Sequence, residues 1–190
     1  MKIKDITIIL DRSGSMNAIR EAVITQFNDF IAEYNNENSD HLFSLVQFDH
    51  EIENLFTGVP IMDVKKLKPS DFEPRGTTSL RDAIGMTIQS IKSRLKGLPK
   101  EDRKNHQVII AVITDGFENS SEEYSVETLK KIMDKVQNNK GWKFLFFGAN
   151  QDSVFEGSKL GIKTSLCYDM DFSSKGVKMS LKTLKKQINH

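Results

Sequence analysis

A chain of 190 residues with 38% hydrophobic and 28% charged residues can bury one sizeable core, and that composition excludes a disordered polymer. A net charge of +1 gives no global pull toward nucleic acid or an anionic membrane, so any functional charge must be local. The lone cysteine, Cys167, excludes an intrachain disulfide and a thiolate metal cluster, which suits a reducing compartment. The apolar run after Asp5 is too short for a signal peptide, and no segment reaches the roughly 18–20 apolar residues of a membrane span. A single domain over 1–190 and a cytoplasmic location are therefore expected.

Residues 4–10 read as a buried strand, apolar at nearly every position, as in a parallel strand covered on both faces. Ile19, Ala22, Val23, Phe27, Phe30, Ile31 and Tyr34 recur at helical spacing, and the polar run from Asn35 to Ser39 ends that helix. The runs at 41–48 and 51–56, split by Asp49-His50, predict an antiparallel hairpin whose second strand is a sheet edge. Residues 57–75 carry three of the four prolines and read as a long excursion with room for one helical turn, a length often tied to function.

Leu80, Ala83, Ile84, Thr87, Ile88, Ile91 and Leu95 mark a second amphipathic helix, which Ser79 or a neighbouring threonine can cap and Gly97-Leu98-Pro99 stops. Residues 100–105 read as a charged loop, 108–113 as a fully buried strand, and 126–136 as a third helix. A strand at 142–147, a short helix around 153–159, a strand near 164–168 and a lysine-rich last helix complete the pattern. The alternation predicts an α/β fold: an open, mostly parallel sheet with one antiparallel edge strand and helices on both faces.

Three segments share one placement. Asp11-Arg12-Ser13-Gly14-Ser15 and Thr114-Asp115-Gly116 leave buried strands, and Gly76-Thr77-Thr78-Ser79 precedes a helix. In an open α/β sheet these connections meet at one rim, where ligands bind. Two carboxylates with several hydroxyls suit a hard cation such as Mg²⁺, which takes about six oxygen ligands, and the absence of nitrogen and sulfur donors disfavours zinc and copper. Such a cation stays electron-poor and attracts an acidic oxygen from a partner. Taken singly, each segment has a plainer reading: a helix cap for the serines, a turn for Asp115-Gly116, a capped loop for Gly-Thr-Thr. The conjunction, in this order, is what points to a site.

Along essentially its whole length the chain resembles a von Willebrand factor type A (vWA) domain, through Ile-Ile-Leu-Asp11-Arg-Ser13-Gly-Ser15-Met, Gly76-Thr77-Thr78 and Val-Ile-Thr-Asp115-Gly116. These segments are similar to the family's metal-ion-dependent adhesion site (MIDAS). The resemblance implies a doubly wound, Rossmann-like fold with Ser13, Ser15 and Thr78 as direct ligands of Mg²⁺ or Mn²⁺, and Asp11 and Asp115 often acting through water. Either Thr77 or Thr78 can supply the third hydroxyl; the family's Gly-x-Thr spacing favours Thr78. Phe117-Glu118-Asn119 resembles the bacterial and phage single-domain members, which act beside ATPases or in stress and assembly systems.

Around the site, Arg12 reads as a solvated side chain rather than a partner-facing one, and Asp82 as a complement to its own helix N-terminus. Asn150 and Asp152 are weaker candidates for the rim. His41, His50, His106 and His190 lack ligand spacing and read as surface or structural, and Lys175, Lys178, Lys182, Lys185 and Lys186 as a solvated helix face. The leading expectation is a non-enzymatic module that grips a protein partner's Asp or Glu through the metal, with no nucleic-acid or membrane partner. Specificity is expected from the rim loops and the 57–75 excursion. The alternatives are a Mg²⁺-dependent phosphohydrolase or phosphotransferase, and a structural assembly subunit with a dispensable metal site. Position 13 is Ser where aspartyl-phosphate enzymes carry a second Asp, and no phosphate-loop motif is present.

Overall fold

The computed structural model describes residues 2–35 and 40–189; residues 36–39, where the sequence reading ends the first helix, and His190 lie outside them. Six strands form one sheet: β1 (Ile3–Asp11), β2 (Leu42–Phe48), β3 (Ile52–Pro60), β4 (His106–Thr114), β5 (Lys143–Gly148) and β6 (Cys167–Asp169). Their order is β3-β2-β1-β4-β5-β6, with every pair parallel except the β2–β3 hairpin. The hairpin puts β3 at the edge, as its alternating polar pattern requires.

The central strands are apolar throughout because both faces are covered. Ile6, Ile8 and Leu10 of β1 and Ile109, Ala111 and Ile113 of β4 face α1 (Arg20–Asn35) and α6 (Ser174–Asn189). The alternate residues Ile9, Val108, Ile110 and Val112 face α2 (Leu80–Lys96) and α4 (Val126–Lys140). Helix α4 starts at the Ser125 cap, whose side chain accepts from the Thr128 amide, and stops at Gly141 in the left-handed region. The short α5 (Ser153–Lys159) matches the sequence reading, with Asp152 capping it rather than lining the rim. Cys167 is free and buried, and burial pushes its thiol up to about 11, so it is no nucleophile near neutral pH.

Three expectations are corrected. Residues 100–105 form a helix, α3 (Lys100–Asn105), not a loop. Pro99 precedes it, Glu101 and Asp102 fill its first turn and basic residues its last, so end charges rather than an apolar face mark it. Ser79 occupies the N-cap position of α2, but its hydroxyl meets Ser120 Oγ at 2.9 Å instead of capping. The 57–75 segment is not a free excursion. Strand β3 runs to Pro60, two 3-10 turns follow (Ile61–Asp63 and Pro69–Asp71), and Ile61, Val64, Leu67 and Phe72 are buried against α1. Asn28 exchanges two hydrogen bonds with the Leu67 backbone, and Arg20 Nε donates to the Phe72 carbonyl.

Below the core, the fully buried Asp5 carboxylate takes both bonds from Arg94 Nη2, at 2.8 and 2.7 Å. Removing the guanidinium while keeping side-chain bulk, as in Arg94→Met, strands a buried charge. Denaturant unfolding should show a loss of about 3 kcal/mol; an unchanged midpoint would mean that Asp5 needs no partner.

Candidate functional site

The chain reverses direction across the sheet between β1, which leads to β2 on one side, and β4, which leads to β5 on the other. That switch point is where an open α/β sheet leaves a crevice. The register pairs Leu10 with Ile113, so Asp11 and Thr114 leave the sheet side by side. Thr114 Oγ1 donates to Asp11 Oδ2 at 2.5 Å, and the Ser13 amide donates to Asp11 Oδ1 at 2.7 Å. Asp11 is thereby fixed at both oxygens.

The serines do not behave as helix caps. Ser13 sits at the N-cap of the 3-10 turn Gly14–Ile19 but makes no side-chain cap bond. Its hydroxyl lies 3.2 Å from that of Ser15, and Ser15 Oγ donates to Asp115 Oδ1 at 2.8 Å. The first and third segments therefore converge. The second joins them through the Gly14 amide, which donates to the Gly76 carbonyl at 3.3 Å.

Thr77 is exposed and Thr78 is 3% exposed. A Cβ added at Gly116 would stand 2.9 Å from Thr78 Oγ1 and 3.6 Å from Asp11 Oδ2, so the missing side chain leaves a small space bordered by both oxygens. Asn119 holds Thr78 from both sides: its Oδ1 accepts from the Thr78 amide at 2.9 Å, and its own amide donates to the Thr78 carbonyl at 3.1 Å.

Burial raises the Asp11 carboxyl above the usual range despite the Thr114 and Ser13 hydrogen bonds, and the Asp115 charge pushes the same way. Burial likewise raises Asp115 against the Ser15 bond. Among the described residues, no lysine or arginine forms an ion pair with either carboxylate. Two buried carboxylates, three nearby hydroxyls and a space kept open by glycine are a donor set that fits a hard cation.

Arg12 does not neutralise this pair, and it is not solvated. Only 6% exposed, it turns away to Asp49 (3.0 Å), Gln47 (3.2 Å) and Glu53 (2.6 Å). Asp49 also accepts from Arg75 Nε at 3.1 Å and from the Glu51 amide at 2.7 Å. Burial alone would raise the Asp49 carboxyl, but the Glu51 amide, Arg75 and Arg12 together hold it below the usual range. One carboxylate thus ties the Asp11 loop to the Gly76 loop. Asp49, His50 and Glu51 also bring one potential ligand atom each within 4.8 Å, a group of the kind that can hold a divalent cation. The two guanidiniums on Asp49 make it an ion-pair hub first.

Asp82 lies in the first turn of α2, yet its carboxylate serves another segment, accepting from the amides of Glu122, Glu123 and Tyr124. Glu118 accepts from the Ser120 and Ser121 amides, the Ser121 hydroxyl and the Arg81 amide. These two acids fold the segment after Asp115 onto the start of α2. The sequence reading named Thr114 and Asn119 only as parts of their segments and Asp49 only as a break between strands, and missed what each of the three holds in place. Only Asp49 carried a legible signal, a carboxylate closing a strand.

No curated protein matches the chain significantly. Among solved structures, proximal thread matrix protein 1 from the mussel byssus matches at 18% identity and a TM-score of 0.68, covering 96% of this chain and 47% of that one; one form of it has a zinc-occupied MIDAS motif. The pilus adhesin SpaC from Lactobacillus rhamnosus GG matches at 13% identity and a TM-score of 0.75 over 99% of this chain and 30% of its own. The PilB minor pilin of Streptococcus sanguinis matches at 12% identity and a TM-score of 0.65 over 99% and 62%. The chain thus spans less than two thirds of each, and identities this low speak for a shared fold. Residues 5–179 match the model of the von Willebrand factor type A domain, and with the doubly wound sheet and the three converging segments in place, the chain belongs to that family.

Proposed function

We propose that the chain is a non-enzymatic, Mg²⁺- or Mn²⁺-dependent protein-binding module. Ser13, Ser15 and Thr78 would be direct ligands, with Asp11 and Asp115 completing the site directly or through water. The observation that carries this reading is the convergence of five oxygen-bearing side chains at the switch point, two of them carboxylates that have no cationic partner among the described residues. When bound, the cation supplies an electrophilic centre for a carboxylate oxygen of the partner. The residues of the chain hold and orient: Thr114 fixes Asp11, Asn119 fixes Thr78, and the Asp49 hub keeps Arg12 and Arg75 out of the site.

The partner would present an Asp or Glu, on a protein such as an ATPase or a stress or assembly complex. Phe117, next to Gly116 and 56% exposed, offers an apolar contact beside that acid. Specificity is better placed on 116–124 than on 57–75, where Ile61, Val64, Leu67 and Phe72 are spent on the core beside α1. An enzymatic reading is weaker because the other carboxylates near the rim are engaged: Glu118 and Asp82 by amides, Asp49 by arginines. The neighbours' names, an adhesin, a matrix protein and a minor pilin, support the binding role.

Calorimetric titration with Mg²⁺ and Mn²⁺ tests the ligand set. Binding should vanish in Asp11→Ala and weaken by about tenfold or more in Thr78→Ala, while Thr77→Ala binds like wild type. Equal losses at the two threonines would refute the assignment of Thr78. Asp115→Asn gives a second, independent sign. In chelator it removes a carboxylate charge that burial disfavours and that also weighs on Asp11, and should stabilise the fold by about 1 kcal/mol. In excess Mg²⁺ it should be the less stable protein, because linkage stabilisation by the bound ion is lost. The same sign in both buffers would argue against a metal at Asp115.

A further inference from the structure

At the end of the sheet opposite the metal rim, a concavity of about 660 Å³ opens where β4 and β5 begin. Eight residue steps of β4 separate its first residue from its last, about 25 Å along the strand. Four parts of the chain line the cavity with cations: Lys2 before β1, Lys92 and Lys96 on α2, Arg103 and Lys104 on α3, and Lys140 at the end of α4. Among the described residues no Asp or Glu lines it. The chain holds 27 basic and 26 acidic residues, so these six leave 21 basic against 26 acidic, a net of −5, everywhere else. Six of the 27 basic residues of a nearly neutral chain thus face one hollow.

Helix ends do not account for them. In this topology α2, α3 and α4 all finish here, and cations near a helix C-terminus complement its dipole. Each such end is worth roughly half a negative charge, so three offset at most about 1.5 of six positive charges. Among the described residues, the acidic side chain paired with one of the six is Glu101, which meets Lys104 at 3.4 Å and lies outside the lining. Lys92 is half-buried, and burial, then Lys140 and Lys135, push its ammonium below the ordinary lysine range. Those charges repel one another where they stand, and an anion between them would relieve the repulsion. The floor is apolar, formed in part by Leu95 and Trp142, which are 9% and 6% exposed.

We propose that this hollow is a second binding site, independent of the metal rim, for a compact polyphosphate anion, either inorganic or carried on a small organic group. A volume of about 660 Å³ lies in the range of small-molecule sites. The cations surround it from several sides rather than forming a stripe along which a strand of nucleic acid could run. Trp142, the one tryptophan of the chain, lines the site and reports on it.

The test titrates the full chain, in EDTA, with inorganic tripolyphosphate, with adenosine triphosphate and with a 20-nucleotide single strand, followed by Trp142 fluorescence and calorimetry. Saturable one-to-one binding of tripolyphosphate is expected, weakening as salt rises. The double variant Lys92→Gln/Lys140→Gln should bind at least about tenfold more weakly, since two close charge pairs are lost. Circular dichroism should show its fold unchanged, and Lys140→Glu alone, at an exposed site, should weaken binding as well. Tighter binding of the nucleotide than of tripolyphosphate would assign the organic form, and equal or weaker binding the inorganic one. The proposal is overturned if neither compact anion saturates by about 10 mM, a concentration far weaker than specific sites show. It is also overturned if the lysine variants bind as wild type does, or if only the oligonucleotide binds.

Discussion

The pairing of β1 with β4 is the constraint on which the rim depends. Both strands are buried on both faces, and their register sets Asp11 beside Thr114 at the point where the sheet changes direction. A slip of one residue would exchange the two core faces, moving Ile6, Ile8 and Leu10 into the layer of α2 and α4. The apolar core thus fixes where the Asp11 carboxylate emerges, to within a hydrogen bond of the threonine that orients it. The polar site inherits its geometry from hydrophobic packing that never touches it.

Two kinds of buried carboxylate lie close together at this rim, and they are treated in opposite ways. Asp49 receives two guanidiniums and an amide, and its charge is favoured. Asp11 and Asp115 receive hydroxyls and an amide, and burial works against their charge. The difference arises because Asp49 collects both arginines of the neighbouring loops. Had Arg12 turned toward Asp11, one residue away, the pair would have gained its counter-charge from the chain itself. A cation site needs that contact to be prevented, and the hub prevents it while stapling two of the three loops.

Most of the architecture was legible because its signals are strong and local. Long apolar strands, helical periodicity and the Asp49-His50 break fixed the element order and the antiparallel edge. The short helix α3 was not legible, since six polar residues carry no periodicity. The 57–75 segment misled in another way: Ile61, Val64 and Leu67 fall three apart, but Pro60, Pro69 and Pro74 interrupt any long helix, so their joint burial with Phe72 depends on the position of α1, a tertiary fact. The burial of Arg12 and the second task of Asp82, which does stand in the first turn of α2, were hidden for the same reason. Their partners lie 37 and about 40 residues away in sequence, and no local rule reaches them.

The site motif itself was legible only as a conjunction, and the hydroxyls show why. A serine or threonine before a helix has an inexpensive local use, the cap, and a sequence cannot say whether that use is taken. Ser125 takes it, accepting from the Thr128 amide. Ser13 and Ser79 stand in the same position relative to their helical segments and do not. Ser13 and Ser15 turn toward each other and Asp115, and Ser79 turns to the loop that carries Asn119. Each forgoes a cap worth about 1 kcal/mol in a typical helix. Ser79 spends its hydroxyl on joining α2 to the following loop, and Ser13 and Ser15 spend theirs beside two carboxylates that, among the described residues, no lysine or arginine pairs with.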